Sequence, residues 1–280
     1  MSQDREPLPS RVEGLPPLPP EALAVLAEGL AMLGLDDLSE PVVRGLIDHL
    51  RLLLAWNQSI NLSAIRAPEA AVREHILDSL TAVHALREHG FDALLDLGSG
   101  GGYPGLPLAL ALPARRTLLV ESVGKKAAFL SAAAAVLSVD ARPAAGEIEV
   151  FNGRAEALAG DGRHRERWPA VVARAIAALP ELAEVALPLV AHGGLLVAWK
   201  RRPIEAELHS AAPAIALLGG GPPRTLPVTL AGLEDHVLVV VEKVKATPAG
   251  YPRDPVQRKR LPLLAGERLP LLGGERLPSP

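Results

Sequence analysis

The sequence predicts an α/β protein: an open, doubly wound, mostly parallel sheet with helices on both faces and a helical layer ahead of it. Three observations carry this reading. The apolar run Ala93-Leu94-Leu95-Asp96-Leu97 leads into Gly98-Ser99-Gly100-Gly101-Gly102-Tyr103-Pro104-Gly105 and then a helical stretch from Leu106 to Leu112. Strand, glycine-rich turn and helix in that order form the unit with which such a sheet holds a nucleotide-like ligand. A second apolar run, Thr117 to Val120, ends in Glu121, 23 positions after Gly98, where a carboxylate can accept hydrogen bonds from ribose hydroxyls. Downstream, short apolar runs keep alternating with helical stretches.

In chain order, residues 1–20 carry six prolines and no hydrophobic period, which predicts a disordered arm. Helices are expected over 21–33 and 41–56; the second lines up Val42, Val43, Leu46, Ile47, Leu50 and Leu53 on one face. Asp78 or Ser79 is placed to cap a helix that runs through Leu86. Residues 21–90 form a helical cap, and 91–250 form the ligand-binding domain. Within that domain, strands are expected at 93–97, 117–121, 147–151, 169–173 and 194–199, with 224–229 and 236–243 as a closing antiparallel pair. Helices separate them, the one from Gly124 to Leu137 holding six alanines. Residues 251–280 read as a basic segment followed by an octad repeat, Arg-Leu-Pro-Leu-Leu-x-Gly-Glu, too short for a solenoid unit and expected to lie outside the fold.

Composition narrows the function. Apolar residues make up 49% of the chain and aromatics only 3%, so the core is built from Ala, Val and Leu. No long uncharged apolar run spans a bilayer, and no membrane is expected as a partner. Zero cysteines exclude disulfides and thiolate-bound metal; a cytoplasmic monomer is expected. A net charge of −3 offers no global attraction for nucleic acid, so binding to RNA must rest on local patches.

The glycine spacing refines the ligand. A dinucleotide fingerprint requires glycine at position 103, where Tyr103 stands. The pattern is Asp96-x-Gly98-x-Gly100-x-Gly102, with the second acid at Glu121, and it looks like the S-adenosylmethionine site of class I methyltransferases, a Rossmann-like fold with a seven-stranded sheet. At this resolution of reading, a small-molecule methyltransferase and a non-catalytic RNA-binding module also remain open.

A series of further blocks resembles one family, the RsmG (GidB) small-subunit ribosomal RNA guanine-N7 methyltransferases. The blocks are Trp56-Asn57 with Asn61-Leu62, His75-Ile76-Leu77-Asp78-Ser79, Asp96 to Pro107, Lys125-Lys126, Arg174-Ala175, Trp199-Lys200 and Tyr251-Pro252-Arg253. Together they cover about residues 21–261. The resemblance implies transfer of a methyl group from S-adenosyl-L-methionine to guanine N7 in 16S rRNA, with cofactor contacts from Gly98, Tyr103, Glu121, Ala155, Glu156 and Arg174; the glycine pattern itself adds Gly100 and Gly102 as cofactor-binding candidates. Two positions depart from the family pattern: Gly101 replaces a more usual Ala or Pro, and Glu74 stands where a basic residue is common.

Guanine N7 carries an in-plane lone pair that is free at neutral pH, so no residue is assigned as a general acid or base and no metal is expected. Lys125, Lys126, Arg154, Lys200, Arg201 and Arg202 follow predicted strands at one sheet edge and are candidates for RNA phosphates, with a solvated charge run as the alternative for 200–202. His75 reads as a packed or capping histidine rather than a ligand, Trp56 as core ahead of a base-stacking aromatic, and Tyr103 as a residue that stacks on or walls the cofactor.

Overall fold

A computed structural model of the chain describes residues 8–112, 114–140 and 146–263. Seven strands form one sheet in the order β3-β2-β1-β4-β5-β7-β6. They are β1 (Ala93–Leu97), β2 (Arg116–Glu121), β3 (Glu147–Asn152), β4 (Trp168–Arg174), β5 (Val190–Arg201), β6 (Arg224–Pro227) and β7 (His236–Glu242). The first five run parallel, and β7 inserts antiparallel between β5 and β6. β1 is central, so both of its faces are buried: Leu94 enters one core and Leu95 and Leu97 the other, as the period of two requires.

The second core is covered by α8 (Ala155–Ala159), α9 (Leu179–Ala186) and α10 (Glu205–Leu217). On the first lie α6 (Gly105–Ala111), α7 (Gly124–Asp140) and the N-terminal layer of α1 (Pro20–Met32), α2 (Glu40–Trp56) and α5 (Val83–His89). Between α2 and α5, α3 (Pro68–Ala71) runs through a π-helical stretch (Val72–Leu77) into α4 (Asp78–Leu80). This departs from the expected cap. Asp78 and Ser79 lie inside a continuous helical run, and their side chains are buried. A π turn offsets the backbone ladder and is common where a helix must present groups to a site.

Both chain ends differ from expectation within the described residues. Residues 8–19 form no helix, yet they are not a free arm. Arg51 on α2 donates to the carbonyls of Val12, Leu15 and Pro16 at 3.2, 2.5 and 3.0 Å, and the Trp56 indole donates to Pro9 at 2.7 Å. Val12 and Leu18 are buried against the helical layer. Periodicity could not show this, because the anchoring comes from backbone carbonyls meeting one guanidinium. Residues 1–7 and the octad repeat from 264 onward lie outside the described residues. A chain beginning at Glu21 is expected to lose about 2–4 kcal/mol, read as a fall of roughly 5–10 °C in melting temperature. An unchanged transition would show that the arm contributes nothing.

At the other end, 251–260 belongs to the fold. Glu184 on α9 accepts from the Arg253 backbone N–H at 2.9 Å and from its guanidinium at 2.7 and 2.6 Å, an ion pair buried on both sides. α11 (Pro255–Arg260) follows, its N-terminus capped by the Asp254 carboxylate, which accepts from the amides of Val256 and Gln257.

Candidate active site

The site lies at the C-terminal ends of β1 to β5. After β1 the chain turns through Gly98, whose φ of +62° only glycine adopts freely; a Cβ there would meet Ile176 Cγ1 at 2.9 Å. Several of the turn's amides are already taken by the protein itself. Gly102 N–H donates to Ser99 O at 2.7 Å, Gly105 N–H to Asp96 Oδ2 at 3.0 Å, and Gly100 N–H to Glu121 Oε2 at 3.0 Å. The Asp96 carboxyl is fully buried and holds the start of α6, and that burial pushes its pKa up to about 7. Glu121 accepts in addition from Val123 N–H at 2.8 Å, so one carboxylate braces the glycine turn and the turn after β2.

Two clefts open here, on either side of the segment 174–177. The first, of about 240 Å³, is lined by Gly98, Ser122, Arg154, Ala155, Glu156 and Ile176 among others. The second, of about 440 Å³, is lined by Glu74, His75, Asp78, Arg174, Trp199 and His236 together with Lys200 and Arg201. Ala175, on the partition, sits at φ +57°, a left-handed conformation that a residue with a Cβ adopts only when its surroundings impose it.

The expected cofactor residues therefore divide. Gly98, Ala155 and Glu156 meet in the first cleft. Gly100, Gly102 and Glu121 form the frame behind it. Arg174 faces the second cleft. Its guanidinium donates to Asp78 Oδ2 at 2.8 Å and to Glu74 O at 2.9 Å, and it lies 5.7 Å from the Tyr103 ring centre. Asp78 Oδ1 accepts from His236 Nδ1 at 2.8 Å, and the Asp78 carbonyl from the Trp199 indole at 2.8 Å. Asp78 thus joins the helical layer to β4 and β7 through its buried carboxylate and to β5 through its backbone carbonyl. Tyr103 does not wall the first cleft. It is buried in a stack between His49 and His75, with ring centres 4.4 and 4.8 Å away.

The basic candidates also separate. Lys125, Arg154, Arg201 and Arg202 are exposed and Lys126 is half-buried; Arg154 lines the first cleft and Arg201 the second. Lys200 is not presented to a partner: its ammonium is held at 2.7 Å by Glu207 and at 2.7 Å by the Ala177 carbonyl. Arg201 pairs with Asp235 at 3.1 Å on the surface.

Burial lowers the pKa of His49 to about 3, partly offset by its bond to Gly101 O; burial and then the Arg174 charge lower that of His75 to about 4. Both rings are therefore neutral at physiological pH. From pH 6.5 down to about 4, the unfolded chain takes up protons on both histidines that the native state refuses. Asp96 works in the opposite sense: its contribution is complete below about 3.8 and is lost as pH rises through 7. These three groups leave a net of one proton, and His164, whose pKa burial also lowers, adds in the same sense, so stability should fall by at least about 1.4 kcal/mol per pH unit of acidification in that window. His49→Gln keeps the donor to Gly101 O and removes one titration, so the slope of its urea-derived stability from pH 6.5 to 4.5 should be about 1.4 kcal/mol per pH unit shallower than wild type. A slope equal to wild type would refute the assignment.

Sequence reasoning missed His49, His236 and Arg258. His49 falls on the core face of α2, with nothing to distinguish it from a packing residue. His236 was traceable, because the first residue of an antiparallel strand beside β5 must sit opposite the end of β5, and it pairs with Arg201.

A parallel sheet extended by an antiparallel β7, with an acid-braced glycine turn beside a divided cleft, defines a class I methyltransferase. The family model described as "GidB: rRNA small subunit methyltransferase G" matches residues 43–228, and the chain belongs to that family. A ribosomal RNA small subunit methyltransferase G of Roseiflexus sp. (strain RS-1) is 45% identical over 201 residues, covering 72% of this chain and 83% of that one. Its counterpart in Deinococcus radiodurans is 39% identical over 241 residues, covering 84% and 92%. That of Alkaliphilus metalliredigens is 33% identical over 246 residues, covering 87% and 99%. Among the described residues no group of acidic, histidine or cysteine side chains is arranged to hold a metal, and no helix is long and apolar enough to cross a membrane.

Proposed function

We propose that the protein transfers the methyl group of S-adenosyl-L-methionine to N7 of a guanosine in 16S rRNA, as a cytoplasmic monomer. The observation that carries this reading is the pair of clefts meeting at the Arg174–Ala177 segment, one with a cofactor frame and one sized for a planar base. The cofactor reading of the first cleft is supported by Gly98, Ala155 and Glu156, which line it, and by Glu121, which braces the glycine turn behind it. Bound there, S-adenosyl-L-methionine supplies an electrophilic methyl on a sulfonium.

The chain's part is positional. The second cleft would hold the guanine edge-on to the methyl with water excluded. N7 is unprotonated, so no proton has to be removed, and the neutral His49 and His75 are consistent with a site that does no acid–base work. The methylated ring becomes cationic, and the half-exposed Glu74 carboxylate on the cleft wall, shared with Arg201 at 3.8 Å, offers it a counter-charge. Lys125, Lys126, Arg154, Arg201 and Arg202 supply a basic rim for the RNA backbone, while Lys200 shapes the wall between the clefts.

The test is methyl transfer from labelled cofactor to unmethylated small-subunit RNA, beside the same RNA made with 7-deazaguanosine and beside a panel of metabolites. The deaza RNA, which lacks the acceptor atom, should bind with a similar salt dependence, about −0.7 log units per phosphate contact on single-stranded RNA, and should receive no methyl. Label entering the deaza RNA would exclude N7, and label found only in metabolites would exclude RNA.

A further inference from the structure

The C-terminal helix reaches into the first cleft. Arg258 on α11 lines that cleft together with Glu156 and Glu181. One of its terminal nitrogens pairs with Glu156 Oε1, and the other donates to the Arg253 carbonyl at 2.8 Å. Its Nε lies 4.0 Å from Glu181 and is buried with no hydrogen-bond partner among the described residues. The guanidinium is therefore aimed by its own helix, which is itself fixed by the Asp254 cap and by the buried Arg253–Glu184 pair. A staple for the chain end was already present in that pair. The remaining use of Arg258 is to fix Glu156, one of whose carboxylate oxygens it occupies.

Glu156 stands one residue into α8, just past β3, on the wall where the base end of a nucleoside would lie once its ribose is set by Glu121. Burial opposes charge on this carboxyl, but the hydrogen bond and charge of Arg258 outweigh it and hold the pKa below the usual range. An ionised carboxylate with one oxygen taken presents the other as an acceptor. Adenine carries an exocyclic amine donor on its Watson–Crick edge, and hypoxanthine carries a carbonyl at the same place.

We propose that Arg258 is a positioning residue for the cofactor: it orients Glu156 to accept from the exocyclic amine of the adenine ring, making the C-terminal helix part of the cofactor site. The inference rests on the reading of the first cleft as the S-adenosylmethionine site. Opposed acceptors give the site its selectivity, since a ring carbonyl facing a fixed carboxylate leaves both without a donor.

Calorimetry on full-length wild-type, Arg258→Met and Arg258→Lys chains, with S-adenosylhomocysteine and its hypoxanthine counterpart, tests this. Wild type should prefer the adenine form by about tenfold or more. In Arg258→Met, affinity for the adenine form should fall by about tenfold while the hypoxanthine form changes by less than about threefold, and Arg258→Lys should restore most of the preference. If Arg258→Met does not fold, Glu156→Gln should show the same collapse of preference with α11 still anchored. An Arg258→Met chain that keeps the wild-type preference, or that loses both ligands equally, would overturn the proposal. If wild type failed to bind S-adenosylhomocysteine at all, the cofactor-site reading would fall, and this proposal with it.

Discussion

Asp78→Ala should lower the unfolding free energy by about 3–5 kcal/mol and abolish methyl transfer. The carboxylate is buried, and it accepts from Arg174 at 2.8 Å and from His236 at 2.8 Å. Removing it leaves a guanidinium that is only 15% exposed without its counter-ion and strands the buried His236 donor. Urea unfolding of the variant, with turnover measured on the same preparation, gives both numbers. A companion variant separates the two effects. Asp78→Leu combined with Arg174→Leu removes both charges, and such paired replacements are often close to neutral. That double variant should regain much of the stability and none of the activity, because Arg174 lines the second cleft. A single variant as stable as wild type would mean that Arg174 and His236 find other partners.

Glu121→Ala should weaken S-adenosylhomocysteine binding by about 100-fold or more. Two losses combine. The proposed acceptor for the ribose hydroxyls disappears, and the amides of Gly100 and Val123, now bonded at 3.0 and 2.8 Å, lose their partner. Each stranded donor costs about 1–3 kcal/mol, so the glycine turn should loosen before any ligand arrives. Glu121→Gln keeps one acceptor oxygen and should lose about tenfold. Calorimetric titration checks both, and wild-type affinity in Glu121→Ala would remove Glu121 from the site.

The parts of this fold that were readable in the sequence are those set by local pattern. β1, the glycine turn and β2 with its terminal Glu121 follow from apolar runs and spacing, and they lie where those signals place them. The seven-stranded sheet and its antiparallel close came from the same source. The parts that were not readable depend on contacts remote in sequence. Asp78 looked like a helix cap because Asp is a good cap; its partners are 96 and 158 positions away, and no local rule weighs them. Residues 8–19 read as free because prolines carry no period, yet Arg51 binds three of their carbonyls and Trp56 a fourth. Arg258 was grouped with a basic tail, since nothing near it announces that Glu156 waits 102 positions upstream. Lys200 failed as a surface cation for the same reason. A charge run says how many cations there are, not which one a neighbouring Glu207 has withdrawn.

The Asp78 hub also bears on the order in which the protein is made. Synthesis delivers the N-terminal helices first, and domains begin to organise as they emerge. The helical layer nevertheless carries a carboxylate that has no proper partner until β4 supplies Arg174, and no second one until β7 supplies His236. Until then, closing the layer would bury a lone charge, which is strongly unfavourable. A nascent chain therefore has reason to keep that layer open and hydrated until nearly the whole sheet has been translated, so the same three residues that shape the second cleft would couple closure of the helical layer to completion of the sheet.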